Sequence, residues 1–108
     1  MFVKHSDEGY RPVLEGVDLK TLVHGEKTLL ASFHLHKGSQ LPSHSHPHEQ
    51  TGYLVSGHMR LTIESEVHDV WPGDSWCVAG GVIHQADIIE DTVAIEVFSP
   101  VREDYLSG

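Results

Sequence analysis

The sequence predicts an all-β fold, a sandwich or closed barrel of short strands. Two observations carry this expectation. From Thr28 to Ser99 apolar residues recur mostly with period two, in runs separated by Gly, Pro and Asp clusters at intervals of about 8–12 residues. No segment carries a helical apolar stripe of about 12 residues or more.

The runs can be taken in order. Val13 to Val23 is ambiguous, although Val17, Leu19 and Thr21 suit an edge strand. Leu29, Ala31, Phe33 and Leu35 then alternate with Leu30, Ser32, His34 and His36, until Lys37-Gly38-Ser39 ends the run. Gln50 to Ser56 is the next strand. Ser56-Gly57 is read as its turn into another, where Met59, Leu61 and Ile63 alternate with His58, Arg60 and Thr62. Glu66 to Val70 follows and is closed by the turn Trp71-Pro72-Gly73-Asp74. Ser75 to Val78 is short, broken by Ala79-Gly80-Gly81. His84 to Ile89 comes next, with an acidic turn expected at Glu90-Asp91. Thr92 to Ser99 places Val93, Ile95 and Val97 on one face, and Thr92, Ala94, Glu96 and Phe98 on the other. Pro100 ends it, and the tail from Val101 to Gly108 suits one helical turn. Residues 1–108 are thus expected to form one domain, with a barrel core at about 28–99.

Charge excludes several classes of partner. Lys plus Arg number 7 against 16 Asp plus Glu, a formal charge of −9. Nucleic acid and anionic membranes both need a surplus of cations, so neither is an expected partner. No apolar run approaches the roughly 20 residues of a membrane helix. The first eight residues turn polar and acidic at once, unlike a signal peptide, so a cytoplasmic location is expected. The single cysteine, Cys77, forms no intrachain disulfide and is expected to be a buried free thiol.

Histidine is the outlier: ten are present, more than Lys and Arg together. Imidazole is the commonest metal ligand and titrates near neutrality. The densest cluster is His44-Ser45-His46-Pro47-His48-Glu49-Gln50. On an extended chain, residues two apart point the same way, so His44 and His46 offer two imidazoles to one side. A metal needs a further ligand. Gln50, Glu49 and His48 are the local candidates. His84 follows a Gly-rich turn and opens a later strand that can return beside the first. The other histidines (His5, His24, His34, His36, His58 and His68) lack a comparable context.

These residues resemble the two motifs of the cupin superfamily. The first is Gly, five residues, His-x-His, three or four residues, Glu, six residues, Gly. This chain has Gly38, His44, His46, Gln50 and Gly57 at those intervals, with Gln in the Glu place. The second is Gly, five residues, Pro-x-Gly, two residues, His, three residues, Asn. Here it reads Gly73, Ala79, Gly81 and His84, with Ala for Pro and Ile88 where Asn is usual. The resemblance implies a double-stranded β-helix, or jelly-roll barrel. It also implies one divalent transition metal (Zn, Ni, Mn or Fe) held by His44, His46, Gln50 and His84. Three neutral imidazoles and an amide leave the full charge of such an ion uncompensated, which favours Lewis-acid chemistry and an anionic ligand.

A narrower resemblance rests on His46-Pro47-His48-Glu49-Gln50, Gly52-Tyr53-Leu54-Val55-Ser56-Gly57 and the run from Phe98 to Leu106. These strings are similar to those of the small cupins of pectin and alginate breakdown that linearise 4,5-unsaturated monouronates. That likeness implies a pocket lined by Glu96, Phe98 and Arg102, with Glu96 standing where the family commonly has Asp. Glu96 would move the proton, Phe98 would pack the sugar ring, and Arg102 would fix the substrate anion. Arg60, on a face with His58 and Thr62, is a further candidate cation, and Arg102 can alternatively pair with Asp104 or with a partner subunit. A carboxylate pointing into a barrel must meet a cation, a donor or water. The implied activity is ring opening and tautomerisation of a small anionic, sugar-derived substrate. An iron-dependent dioxygenase and a non-catalytic sugar-binding module are the rivals. A homodimer is expected too, because a barrel this small has a poor surface-to-volume ratio and edge strands are safest when paired. The segment before Leu29 is the one expected to reach across.

Overall fold

The computed structural model describes residues 1–106. It contains eight strands: β1 (Arg11–Leu14), β2 (Val17–His24), β3 (Leu29–Leu35), β4 (Gln40–His44), β5 (Glu49–Ile63), β6 (Glu66–Val70), β7 (Ser75–Val78) and β8 (His84–Ser99). A single 3₁₀ turn, Glu103–Tyr105, supplies the helical turn expected in the tail. All pairings are antiparallel.

Two long strands organise the fold. β5 and β8 pair along almost their whole length, from Glu49↔Ser99 to Ile63↔His84. Their other edges change partner midway. The C-terminal half of β8 pairs with β3 and its N-terminal half with β4, while β5 pairs first with β7 and then with β6. One sheet therefore runs β1-β2-β3-β8-β5-β7 and the other β4-β8-β5-β6. Side chains of alternating residues from both sheets face inward. The core holds Leu19, Leu29, Phe33, Leu54, Leu61, Ile88, Ala94 and Phe98, all nearly inaccessible. This is the all-β jelly-roll architecture that the strand pattern and the motif resemblance imply.

The bend between the sheets corrects two expected turns. Ser56-Gly57 does not end a strand. It lies inside β5, where the register with β8 shifts around Ser56 and His58. Glu90-Asp91 likewise lies inside β8. Both pairs mark a bulged corner at which two strands bend together, and a bulge keeps the hydrogen-bonded ladder running where a turn would end it. Gly57 is required there. It has φ +98°, and a Cβ would lie 2.3 Å from the Asp91 carbonyl oxygen and 2.4 Å from Thr92 Oγ1. Thr92 Oγ1 closes the corner by donating to the Glu90 carbonyl (2.8 Å) and accepting from the His58 amide (3.2 Å).

Two smaller expectations also change. The Val17 strand is not an edge, because β1 pairs along its outer side. The N-terminal segment folds onto its own sheet: Tyr10 stacks on His34 with ring centroids 3.9 Å apart, and its hydroxyl meets Ser32 Oγ at 2.8 Å. Cys77 is exposed rather than buried, since its place on β7 is an outward one between the inward Trp76 and Val78.

Candidate metal centre and cavity

Three of the four motif residues sit at the ends of strands, and the fourth lies in a loop between two of them. His44 ends β4, His46 lies in the loop that follows, Gln50 is the second residue of β5, and His84 opens β8. His44 and His84 are register partners across β4 and β8, so the distant histidine is brought directly beside the first. Ring centroids are 4.3 Å apart for His44 and His84, 5.0 Å for His46 and His84, and 5.6 Å for His44 and His46. One nitrogen from each of the three lies within 4.8 Å of the others.

Each imidazole is oriented by its own neighbourhood. The Nδ1 atoms of His44, His46 and His84 donate to the carbonyls of Pro42 (2.8 Å), His48 (3.0 Å) and Val82 (2.9 Å). A carbonyl only accepts, so the proton belongs on Nδ1 and each Nε2 keeps a lone pair. His84 Nε2 is buried with no partner. His46 Nε2 faces Gln50 Oε1 at 3.0 Å, and Gln50 Nε2 is committed to donating to Glu96. Two acceptors thus face each other, and a buried nitrogen lone pair goes unmet. Both features fit a cation at the point of convergence. Burial holds the His46 imidazolium below its ordinary pKa, with help from the Arg102 and His84 charges. Burial does the same for His84, aided by His44 and Arg102. Neutral imidazoles are the form a metal needs.

A cavity between the two sheets adjoins the cluster and is lined by His44 and His84. Its enclosed volume is about 50 Å³, and its mouth is open to solvent. Phe33, Leu41, Met59 and Phe98 give it apolar walls, while Gln50, Glu96, Trp76, Arg102 and Tyr105 supply polar groups. Glu96 is on the inward face of β8 and is buried. Its Oε1 accepts from Gln50 Nε2 (2.5 Å) and Trp76 Nε1 (3.1 Å). Burial nevertheless pushes the Glu96 carboxyl above its ordinary pKa, against the opposing pull of these two donors and the Arg102 charge.

Arg102 is held rigidly. Its Nε and Nη2 donate to the two carboxylate oxygens of Asp104 at 3.2 and 2.7 Å. Its guanidinium lies 4.0 Å from the Tyr105 ring centroid and 5.1 Å from that of Phe98. Against the burial that would raise it, the Arg102 bonds keep the Asp104 carboxyl below its usual value. Burial pushes the Tyr105 phenol up to about 12.

The structure therefore brings together His44, His46, Gln50, His84, Glu96, Phe98 and Arg102. It does not bring Arg60, whose side chain lies on the outer surface and donates to Asp69 (Nε–Oδ1 3.3 Å). His58, on the same strand, is stacked on Trp71 and bonded to Asp69. Glu49 is exposed on the opposite side of β5 from Gln50, as strand alternation requires. Of the two alternatives for Arg102, the chain itself realises the Asp104 pair. Trp76 and Tyr105 were not foreseen as lining residues. Trp76 belongs to a strand too short to show its alternation, and Tyr105 follows the last strand altogether.

Comparison with known proteins accords with this geometry. The chain is 28% identical over 94 residues to the pectin degradation protein KdgF of Dickeya dadantii (strain 3937), with 85% of this chain and 86% of that protein covered. The solved structure of KdgF from Halomonas sp. superposes with a TM-score of 0.88 at 28% identity, covering 93% of each chain. An RmlC-like cupin from Shewanella frigidimarina gives a TM-score of 0.92 at 25% identity, over 97% of this chain and 95% of that one. Residues 31–99, more than half of the chain, match the cupin domain family. With the jelly-roll strand order and the three converging histidines already in place, that match makes the chain a member of the cupin domain family.

Proposed function

We propose that the chain is a metal-dependent enzyme that converts a 4,5-unsaturated monouronate to its linear keto form, within the breakdown of pectin. The observation that carries the reading is a buried acid, Glu96, in a cavity that it shares with His44, His84 and a fixed arginine. The similarity to proteins named KdgF supports the substrate class. His44, His46, Gln50 and His84 would hold the ion. A divalent ion there supplies Lewis-acid charge to a substrate oxygen.

The chain's own groups do the rest. Glu96 has one oxygen tied down, and Oε2 makes no bond to the described residues. Oε2 accepts the proton of the anomeric hydroxyl as the bond from C1 to the ring oxygen opens. That ring oxygen becomes the enol oxygen at C5. Return of the proton to C4 yields the C5 ketone, so the reaction is an isomerisation that needs no co-reactant. A raised pKa suits a group that must both take and give a proton near neutrality. Arg102, with Nε and Nη2 spent on Asp104, retains Nη1 for the substrate carboxylate. Phe98 lines the cavity wall and backs Arg102, its ring centroid 5.1 Å from the guanidinium.

The test is direct. Protein loaded in turn with Zn, Ni, Mn and Fe(II) is given unsaturated galacturonate, and loss of the ultraviolet absorbance of the conjugated double bond is followed. Metal-dependent loss is expected. Oxygen consumption by the Fe(II) form alone would instead make it a dioxygenase. Tight sugar binding without turnover would make it a binding module.

We also propose a homodimer. The outer face of the β8–β5 sheet carries Tyr53, Val55, Val93, Ile95 and Val97, with the charge of Glu49 at its end. Two copies of net charge −9 repel least through such a face. Light scattering should give twice the chain mass, and Val55→Glu should give the monomer; a monomeric wild type would refute the dimer.

A further inference from the structure

Glu96 is gripped on one oxygen only. Both donors, Gln50 Nε2 and Trp76 Nε1, go to Oε1. Among the described residues the sealed, partnerless side-chain polar atoms are Nδ1 of His48 and Nε2 of His84. Oε2 of Glu96 has no protein partner and is not sealed, so it opens on the cavity.

Trp76 reaches Glu96 by an unusual path. Gly52 of β5 is the register partner of Trp76 on one side and of Glu96 on the other. The three residues form one row across β7, β5 and β8. A Cβ on Gly52 would lie 2.2 Å from Trp76 Cε2 and 2.5 Å from Nε1. The indole therefore lies over the backbone of the middle strand, in space that only glycine leaves open. Across an ordinary residue, its N–H would not span two strands.

We propose that Trp76 is a positioning residue: reaching across Gly52, it fixes Glu96 with one oxygen bound and the other facing the cavity. Its effect on rate rests on the reading given under Proposed function. Gln50 alone cannot do this work. One donor fixes the place of one oxygen but leaves the carboxyl plane free to turn about that contact. The second donor, reaching over from β7 beyond β5, removes that freedom. It also shares the cost of burying a carboxylate.

Trp76→Phe tests the idea, because it keeps an aromatic plane over Gly52 and deletes the N–H. Metal affinity should stay within about twofold and KM should be unchanged, while kcat on unsaturated galacturonate falls at least ~10-fold, as expected when a reacting group is misplaced. A purely structural role would instead change thermal stability or metal affinity and leave the kcat-to-KM split flat. Wild-type kcat in Trp76→Phe overturns the proposal. A second readout needs no activity and no Trp76 variant. In ¹⁵N-labelled, zinc-loaded protein, the Trp76 indole N–H resonance should lie downfield and move upfield in Glu96→Ala, which removes the acceptor, while that of Trp71 stays. An unmoved Trp76 resonance overturns the proposal even if the enzyme is active. If the wild type turns over no unsaturated uronate, the functional reading fails alone, and the resonance decides the contact.

Discussion

Replacing Glu96 separates its chemical role from its structural one. In Glu96→Gln the amide oxygen takes the place of Oε1 and still accepts from Gln50 and Trp76, while the new NH₂ stands where Oε2 faced the cavity. Packing and both hydrogen bonds survive, but the group can no longer take and return a proton. General acid–base groups contribute about 10²–10⁴-fold, so kcat should fall at least ~100-fold with metal content unchanged. Stability should move the other way in the metal-free protein. A carboxyl whose folded pKa is raised gives stability that is complete below its ordinary value of 4.5 and is lost as pH rises through the folded value. Removing that charge should therefore stabilise near neutral pH and do nothing below the ordinary value. Glu96→Ala is the contrast. It strands two donors, and at the low end of roughly 1 kcal/mol each it should melt below Glu96→Gln by ~2 kcal/mol. For a chain of this size that is about 8–16 °C, measurable by differential scanning calorimetry. Near-wild-type kcat in Glu96→Gln would refute the proton-transfer role. Coincident melting of the Ala and Gln variants would refute the hydrogen-bond network.

Three further outcomes are expected. Added metal should raise the melting temperature of the wild type by the linkage for a native-state ligand, ~2.7 kcal/mol at a hundredfold excess over Kd, and His84→Ala should abolish the shift in a thermal-melt titration against chelator. Arg102→Ala should weaken substrate binding by ~1.5–3 kcal/mol, the worth of a charge-assisted hydrogen bond, and Asp104→Ala should raise KM in the same direction by loosening the guanidinium; unchanged KM in both would count against an anion anchor. The depressed imidazolium pKa values of His46 and His84 contribute stability that is present above the ordinary 6.5 and lost as pH falls through their folded values. Metal-free protein should accordingly weaken on acidification below that point, and metal should stay bound further into the acid range than ordinary histidines would allow, as read by metal release against pH.

What the sequence determined by itself was everything governed by local spacing. Turn signals bounded β6 and β7 to the residue, alternation placed β3 to within one residue at its end, and the strand period put Glu96 and Phe98 on one face of β8. The likeness of Gly38 to Gly57 and of Gly73 to His84 to the two cupin motifs singled out His44, His46, Gln50 and His84, and the three histidines among them do converge. The tertiary structure decided what depends on strands meeting. Ser56-Gly57 and Glu90-Asp91 have the composition of turns, yet they face each other across two bending strands, where a bulge costs less than broken pairing. Arg60 alternates as an outward residue, and only the pairing of β5 with β6 shows that Asp69 holds it there. Cys77 became exposed because β7 offers that side of its short run no covering layer. The contact of Trp76 with Glu96 spans two strands and twenty residues, through a glycine whose missing side chain has meaning only once three strands lie side by side.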